Sequence, residues 1–217
     1  MPLPNFDLYL ITDRQLTGGR DLCAVVEQAL DGGVKAIQLR EKDLDGKELF
    51  ALADKLSMLC QRYSAELFIN DRIDVALAVD AAGVQLGKTS LPIDAARRLL
   101  GAEKLIGYSA HSPTEAQAAA QDGVDFILFG PVYLTSSKAS FGAPQGLAQL
   151  RDVVAQVTLP VYAIGGIKDE NLLETMKTGS QGVALISAII GAENPAAKAQ
   201  AMLSLLARKP HAGTPPR

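Results

Sequence analysis

Gln38, Arg40 and Lys42 stand at alternate positions where an apolar run, Val34 to Leu39, gives way to charge. On an extended chain alternate side chains point the same way, so an amide, a guanidinium and an ammonium would converge. Leu39 and Glu41 would turn to the other face. That set suits a phosphorylated ligand, which Arg grips as a planar fork and Lys as a point charge; a solvated strand end carrying surface ion pairs is the competing reading. Asn70 and Asp71 close another apolar run. Asp71 is a candidate Mg²⁺ ligand, because that ion takes one or two carboxylates and fills its shell with substrate phosphates and water; capping the next helix is an equal alternative. Thr135, Ser136, Ser137 and Lys138 put hydroxyls and an ammonium in a long loop flanked by Gly and Pro, and loops of that length commonly close over a site. Gly165-Gly166-Ile167 and Ser187-Ala-Ile189 each fall between an apolar run and a helical pattern. Glycine lets backbone approach a ligand and helix-start amides bind anions, though a glycine pair also suits a plain tight turn. Ser109 is favoured over His111, since a lone His two residues on more often caps or packs.

Residues this dispersed need a scaffold that gathers strand ends. Apolar runs that read as strands cover Phe6–Thr12, Val34–Leu39, Leu67–Ile69, Gly83–Leu86, Leu105–Tyr108, Phe126–Phe129, Pro160–Ile164 and Gly182–Ile186. Each is followed by a helical pattern, as at Leu22–Leu30, Leu49–Leu59, Asp74–Val79, Glu170–Met176 and Pro195–Leu206. Continuous apolar strands fit a parallel sheet covered on both faces. Eight strand-then-helix units predict a single (β/α)₈ TIM barrel over residues 1–207, and no G-x-G-x-x-G follows the first strand to suggest a dinucleotide fold. Residues 208–217 lack an apolar pattern and are expected to be a disordered tail.

The barrel turns the strand ends into a catalytic rim. The loops after strands seven and eight, with Gly166 and Ser187, predict a monophosphate site. Arg40, Lys42, Asn70 and Asp71, with Lys138 folding over, predict a more heavily charged anion held with a divalent metal. A net charge of −3 gives no footprint for nucleic acid. No run approaches the ~18 apolar residues of a membrane span and no leader pattern is present, so a cytoplasmic protein acting on small phosphorylated molecules is expected. Cys23 and Cys60 read as structural thiols in helices. Oligomeric state is not legible, and a homo-oligomer stays open.

Nine motifs, in order, resemble the thiamine phosphate synthase (thiamine phosphate pyrophosphorylase) family. They are Leu8-Tyr-Leu-Ile-Thr-Asp13, Gln38-Leu-Arg-Glu-Lys42, Ile69-Asn-Asp-Arg72, Gly83-Val-Gln-Leu-Gly87, Gly107-Tyr-Ser-Ala-His-Ser112, Phe129-Gly-Pro-Val-Tyr133, Thr135-Ser-Ser-Lys138, Ala163-Ile-Gly-Gly-Ile167 and Ile186-Ser-Ala-Ile189. The resemblance implies a transferase that joins a hydroxymethylpyrimidine diphosphate to thiazole phosphate. Pyrophosphate leaves first, and the thiazole nitrogen captures a pyrimidine carbocation. By the same resemblance Gln38, Arg40, Lys42, Asn70, Ser109 and Lys138 hold the diphosphate substrate, Arg40, Ser109 and Lys138 acting at the reacting centre. Thr135, Ser137, Gly166, Ile186 and Ser187 hold thiazole phosphate, and Asp71 binds one Mg²⁺. The family usually carries a second metal-binding Asp after strand four; here Gly87-Lys-Thr-Ser90 puts Ser90 in its place, with Lys88 as a possible source of compensating charge. Ser90 points instead to the related thiazole tautomerase, which needs neither metal nor diphosphate, but Pro131 stands where that enzyme has its His. A non-catalytic binder of thiazole phosphate or thiamine phosphate is the third reading.

Overall fold

The computed structural model describes residues 4–135 and 143–208. Four strands, β1 Leu8–Ile11, β2 Ala36–Leu39, β3 Glu66–Asn70 and β4 Gly83–Leu86, run parallel in chain order. They continue into β5 Leu105–Ala110, β6 Phe126–Phe129, β7 Val161–Ile164 and β8 Gly182–Leu185, which pairs back onto β1 and closes the barrel. Around it lie α1 Leu22–Asp31, α2 Gly46–Arg62, α3 Ile73–Ala78, α4 Ile93–Leu100 and α5 Pro113–Gln121. α6 Gly146–Gln156, α7 Asp169–Met176, α8 Ser187–Ile190 and α9 Pro195–Leu206 complete the ring. Helix starts are built locally: Asp45 and Glu48 form a capping box on α2, while Asp21, Ser112 and Asn194 each accept an amide N–H at the head of α1, α5 and α9.

Strand alternation divides the apolar residues into two cores. Leu10, Ile37, Ile69, Val84, Ile106, Ile127 and Val183 face the helices in the larger one. The alternate positions fill the barrel itself, where Phe6, Tyr9, Phe68, Phe126 and Tyr162 pack with ring centroids 4.8–5.9 Å apart. Tyr162 anchors the set by donating its hydroxyl to the Phe6 carbonyl at 2.9 Å. Gly107 faces these rings with no side chain, and a Cβ there would lie 2.4 Å from Phe126.

Several boundaries differ from the sequence expectation. β5 extends to Ala110 and β3 to Asn70, so Ser109 and Asn70 lie on strands rather than beyond them. β8 stops at Leu185, one residue early, because the chain turns at Ile186 into the short α8, too brief to show a helical period in the sequence; α9 starts at Pro195 as expected. β1 is shorter than Phe6–Thr12, since Asp13 caps a single 3-10 turn at Arg14–Leu16 through its bond from the Gln15 N–H. The tail reading lies outside the described residues except for Arg208.

Candidate active site

Above the aromatic layer the inward positions turn polar. Register aligns Ile11 with Gln38, Gln38 with Phe68, Asn70 with Gln85, and Gln85 with Gly107. Gln38 and Gln85 are each 1% exposed. The Gln85 amide lies 3.0 Å from Ser109 Oγ; with its oxygen turned to the surrounding donors it also accepts the Ser109 N–H at 3.2 Å. Gln38 Nε2 is buried without a hydrogen bond of good geometry, its neighbour being the equally unsatisfied Tyr9 hydroxyl. Such a donor costs about 1–3 kcal/mol until something supplies an acceptor. Gln38, Asn70 and Ser109 were named from sequence. Gln85 was missed as a functional group, although a polar residue of the same parity in an otherwise apolar strand marks it.

β2 ends at Leu39, as the apolar run indicated, and Arg40, Glu41 and Lys42 follow it. Thr12 Oγ1 accepts the Arg40 N–H at 3.0 Å and pins the turn. Glu41, 6% exposed, accepts the Arg14 backbone N–H at 3.1 Å and the Arg14 guanidinium at 3.3 Å. The carboxylate of this motif is therefore spent on structure, and neither Arg40 nor Lys42 pairs with it. Among the described residues Arg40 has no ion-pair partner, and Lys42 Nζ reaches only Asp71 Oδ2, at 4.0 Å.

Asp71 does not cap α3. The helix is preceded by Arg72 with no side-chain cap, and the Asp71 carboxylate instead accepts from Asn70 Nδ2 at 2.7 Å and from Ser90 Oγ. Its backbone takes φ +62°, a left-handed conformation that Asp tolerates better than most residues. Ser90 Oγ in turn accepts the Gly87 N–H at 2.7 Å. Lys88 is exposed on the same turn.

On the opposite side of the barrel, a cavity of about 500 Å³ opens between the ends of β7 and β8, with Thr135, Gly166, Ile186, Ser187 and Lys198 in its wall. Gly165 and Gly166 take φ +100° and +68°, and Cβ atoms on them would sit 2.7 Å from Pro131 and from Tyr133. Glycine is required there both for the turn and for the segment packed over it. Ser187 opens α8, where first-turn amides lack intrahelical acceptors. Arg40, Asp71 and Ser109 are absent from this wall, so the two groups of candidates do not share this cavity. Ser137 and Lys138 lie outside the described residues. His111 holds the Gly130 carbonyl oxygen through Nδ1 at 2.6 Å. Both thiols are free; burial pushes Cys23 up and Cys60 up to about 12, which leaves neither as a nucleophile near neutral pH.

The family model for thiamine monophosphate synthase matches residues 8–189. A putative thiamine-phosphate synthase of Geobacter sulfurreducens is 52% identical over 202 residues, covering 93% of this chain and 95% of its own. The thiamine-phosphate synthase of Moorella thermoacetica is 42% identical over 206 residues, covering 95% and 98%. Among solved structures, thiamine phosphate pyrophosphorylase from Pyrococcus furiosus superposes with a TM-score of 0.86 at 39% identity, covering 93% of this chain and 96% of that one. With the match running from the first strand to the helix after the eighth, the chain belongs to the thiamine monophosphate synthase family.

Proposed function

We propose that the protein is a thiamine phosphate synthase, a transferase that joins a hydroxymethylpyrimidine diphosphate to thiazole phosphate and releases pyrophosphate. One observation carries the reading beyond family membership. Lys42 stands 4.0 Å from Asp71 on one side of the barrel mouth and a glycine-lined cavity opens on the other, which supports a reading with two places for anions. A one-substrate isomerase has no use for the first.

The pyrimidine ring would stand on the aromatic layer, with its polar edge toward Gln38, Asn70, Gln85 and Ser109. The buried Gln38 amide donor gains an acceptor when the ring arrives. Arg40 and Lys42, with Lys138 from the loop, take up charge as the C–O bond to the diphosphate lengthens. Thr135, Ser137, Gly166, Ile186 and Ser187 hold the thiazole phosphate so that its ring nitrogen meets the carbocation before water does. No covalent side-chain nucleophile is called for.

The donor set suits Mg²⁺, a hard ion that takes oxygen ligands. Asp71 supplies one carboxylate and Ser90 a hydroxyl oxygen in contact with it. Two protein oxygens make a weak resident site, so the diphosphate and waters would complete the shell. When bound, the ion neutralises the departing pyrophosphate. The whole barrel to residue 207 then acts as one catalytic domain. No helix among the described residues is long and apolar enough to cross a membrane, and free thiols suit a cytoplasmic setting.

The isomerase alternative draws on Ser90 alone. Pro131 offers no base, and His111 is tied to Gly130. Incubating the protein with both substrates and Mg²⁺ should yield thiamine phosphate and pyrophosphate in equal amounts. Tight thiazole phosphate binding with no pyrophosphate released would overturn the proposal.

A further inference from the structure

Two charged pairs stand in the wall of the β7–β8 cavity that none of the roles above uses. Lys198, in the first turn of α9, places Nζ 2.6 Å from Asp169 Oδ1 at the start of α7. Lys168 lies 3.9 Å from Glu170. All four residues line the same cavity as Gly166 and Ser187. The pairs differ in kind. Lys168 and Glu170 side chains are 68% and 71% exposed, whereas Lys198, in the same wall, is 29% exposed.

As it stands the wall carries two ammonium groups and two carboxylates, and so no net charge. A phosphate monoester brings ~1.5–2 negative charges at neutral pH. Backbone amides, such as those the proposed function assigns to Gly166 and Ser187, would supply hydrogen bonds but no full positive charge. An ammonium has three N–H donors, and among the described residues Lys198 bonds to Asp169 alone. Two donors therefore remain for an anion in the cavity.

We propose that Lys198 is a specificity residue of the phosphate subsite and that Asp169 is its built-in competitor. The carboxylate holds the ammonium in place over an empty cavity and weakens binding by repulsion once the phosphate is seated. The proposal rests on thiazole phosphate being a substrate. A purely structural bond joining α7 to α9 is the alternative, and the two make opposite demands on Asp169. As a structural tie, loss of either partner harms alike. As a competitor, loss of Asp169 strengthens phosphate binding.

The test is calorimetric titration of the full chain with thiazole phosphate and with the unphosphorylated thiazole alcohol, alongside thermal melts. Lys198→Gln should raise the thiazole phosphate Kd about tenfold, the value of one charge-assisted hydrogen bond, and leave the alcohol Kd unchanged. Lys198→Arg should keep the preference for the phosphate ester, and Asp169→Asn should lower the phosphate Kd about threefold. An unchanged phosphate-to-alcohol ratio in Lys198→Gln overturns the proposal. So does weaker phosphate binding in Asp169→Asn. Wild-type protein that binds no thiazole phosphate overturns the proposed function itself, a result distinct from both.

Discussion

Ser90 joins a backbone amide to a carboxylate: its Oγ accepts the Gly87 N–H at 2.7 Å and contacts Asp71 Oδ1 as donor. A neutral oxygen there keeps Asp71 ordered but adds no charge for an ion. A second carboxylate at the same place would double the protein's formal charge toward Mg²⁺. Ser90→Asp is therefore expected to lower the Mg²⁺ concentration for half-maximal turnover by about tenfold, the scale of one added ionic ligand contact. An unchanged metal dependence would show that position 90 is not near the ion. Arg40→Ala should raise the KM for the pyrimidine diphosphate by at least about tenfold and leave that for thiazole phosphate within about twofold; equal losses for both would contradict the division into two subsites. At this scale the sequence was legible where a polar residue interrupts an apolar run. Gln38, Asn70, Asp71 and Ser109 announce themselves that way. Lys198 does not, because a lysine in the first turn of an amphipathic helix looks like any solvated one, and only the placement of α7 beside α9 brings it to the cavity. The buried role of Glu41 was equally hidden, since its partner Arg14 is 27 residues away.

Strands and helices were more legible than single residues, because eight apolar runs with helical patterns between them admit few arrangements. Their ends were less so. β5 outruns its apolar stretch by two residues because Ser109 and Ala110 stay in register with Leu128 and Phe129 of β6, a constraint set by the neighbour and not by local propensity. Gly107 shows how the same strand serves the site. A Cβ would meet Phe126 on one side and the end of the Gln85 side-chain amide on the other, each at 2.4 Å. Gly107→Ala should thus cost about 1–3 kcal/mol of stability by overpacking, read as a lower urea midpoint. It should also raise the KM for the pyrimidine diphosphate, because displacing Gln85 disturbs Ser109. A variant with wild-type midpoint and kinetics would mean that the barrel interior yields at this point.

The closed barrel holds the two groups of candidates apart by circumference: residues from β2 to β5 carry one, and loops after β6, β7 and β8 the other. Stability has its own weak point at the far end. Glu66 opens β3 with Oε2 buried and unpartnered, and burial raises its carboxyl above the usual range. A raised folded pKa means that ionisation costs stability at neutral pH. That cost is absent below about pH 4, where the unfolded carboxyl is protonated as well. Glu66→Gln is expected to raise Tm at pH 7, with the gain shrinking toward zero near pH 4. A lower Tm at pH 7 would show that the carboxylate is better satisfied than its surroundings indicate. The five rings that fill the barrel have a further effect. They make the molecule a cup and not a pipe, so everything that enters must come back out past the same lip. Whatever sits lowest is the first to arrive and the last to leave, and a bulky product resting near the lip corks the rest. In a two-substrate enzyme of this shape, queueing is a property of the vessel, set by the aromatic side chains that close its base.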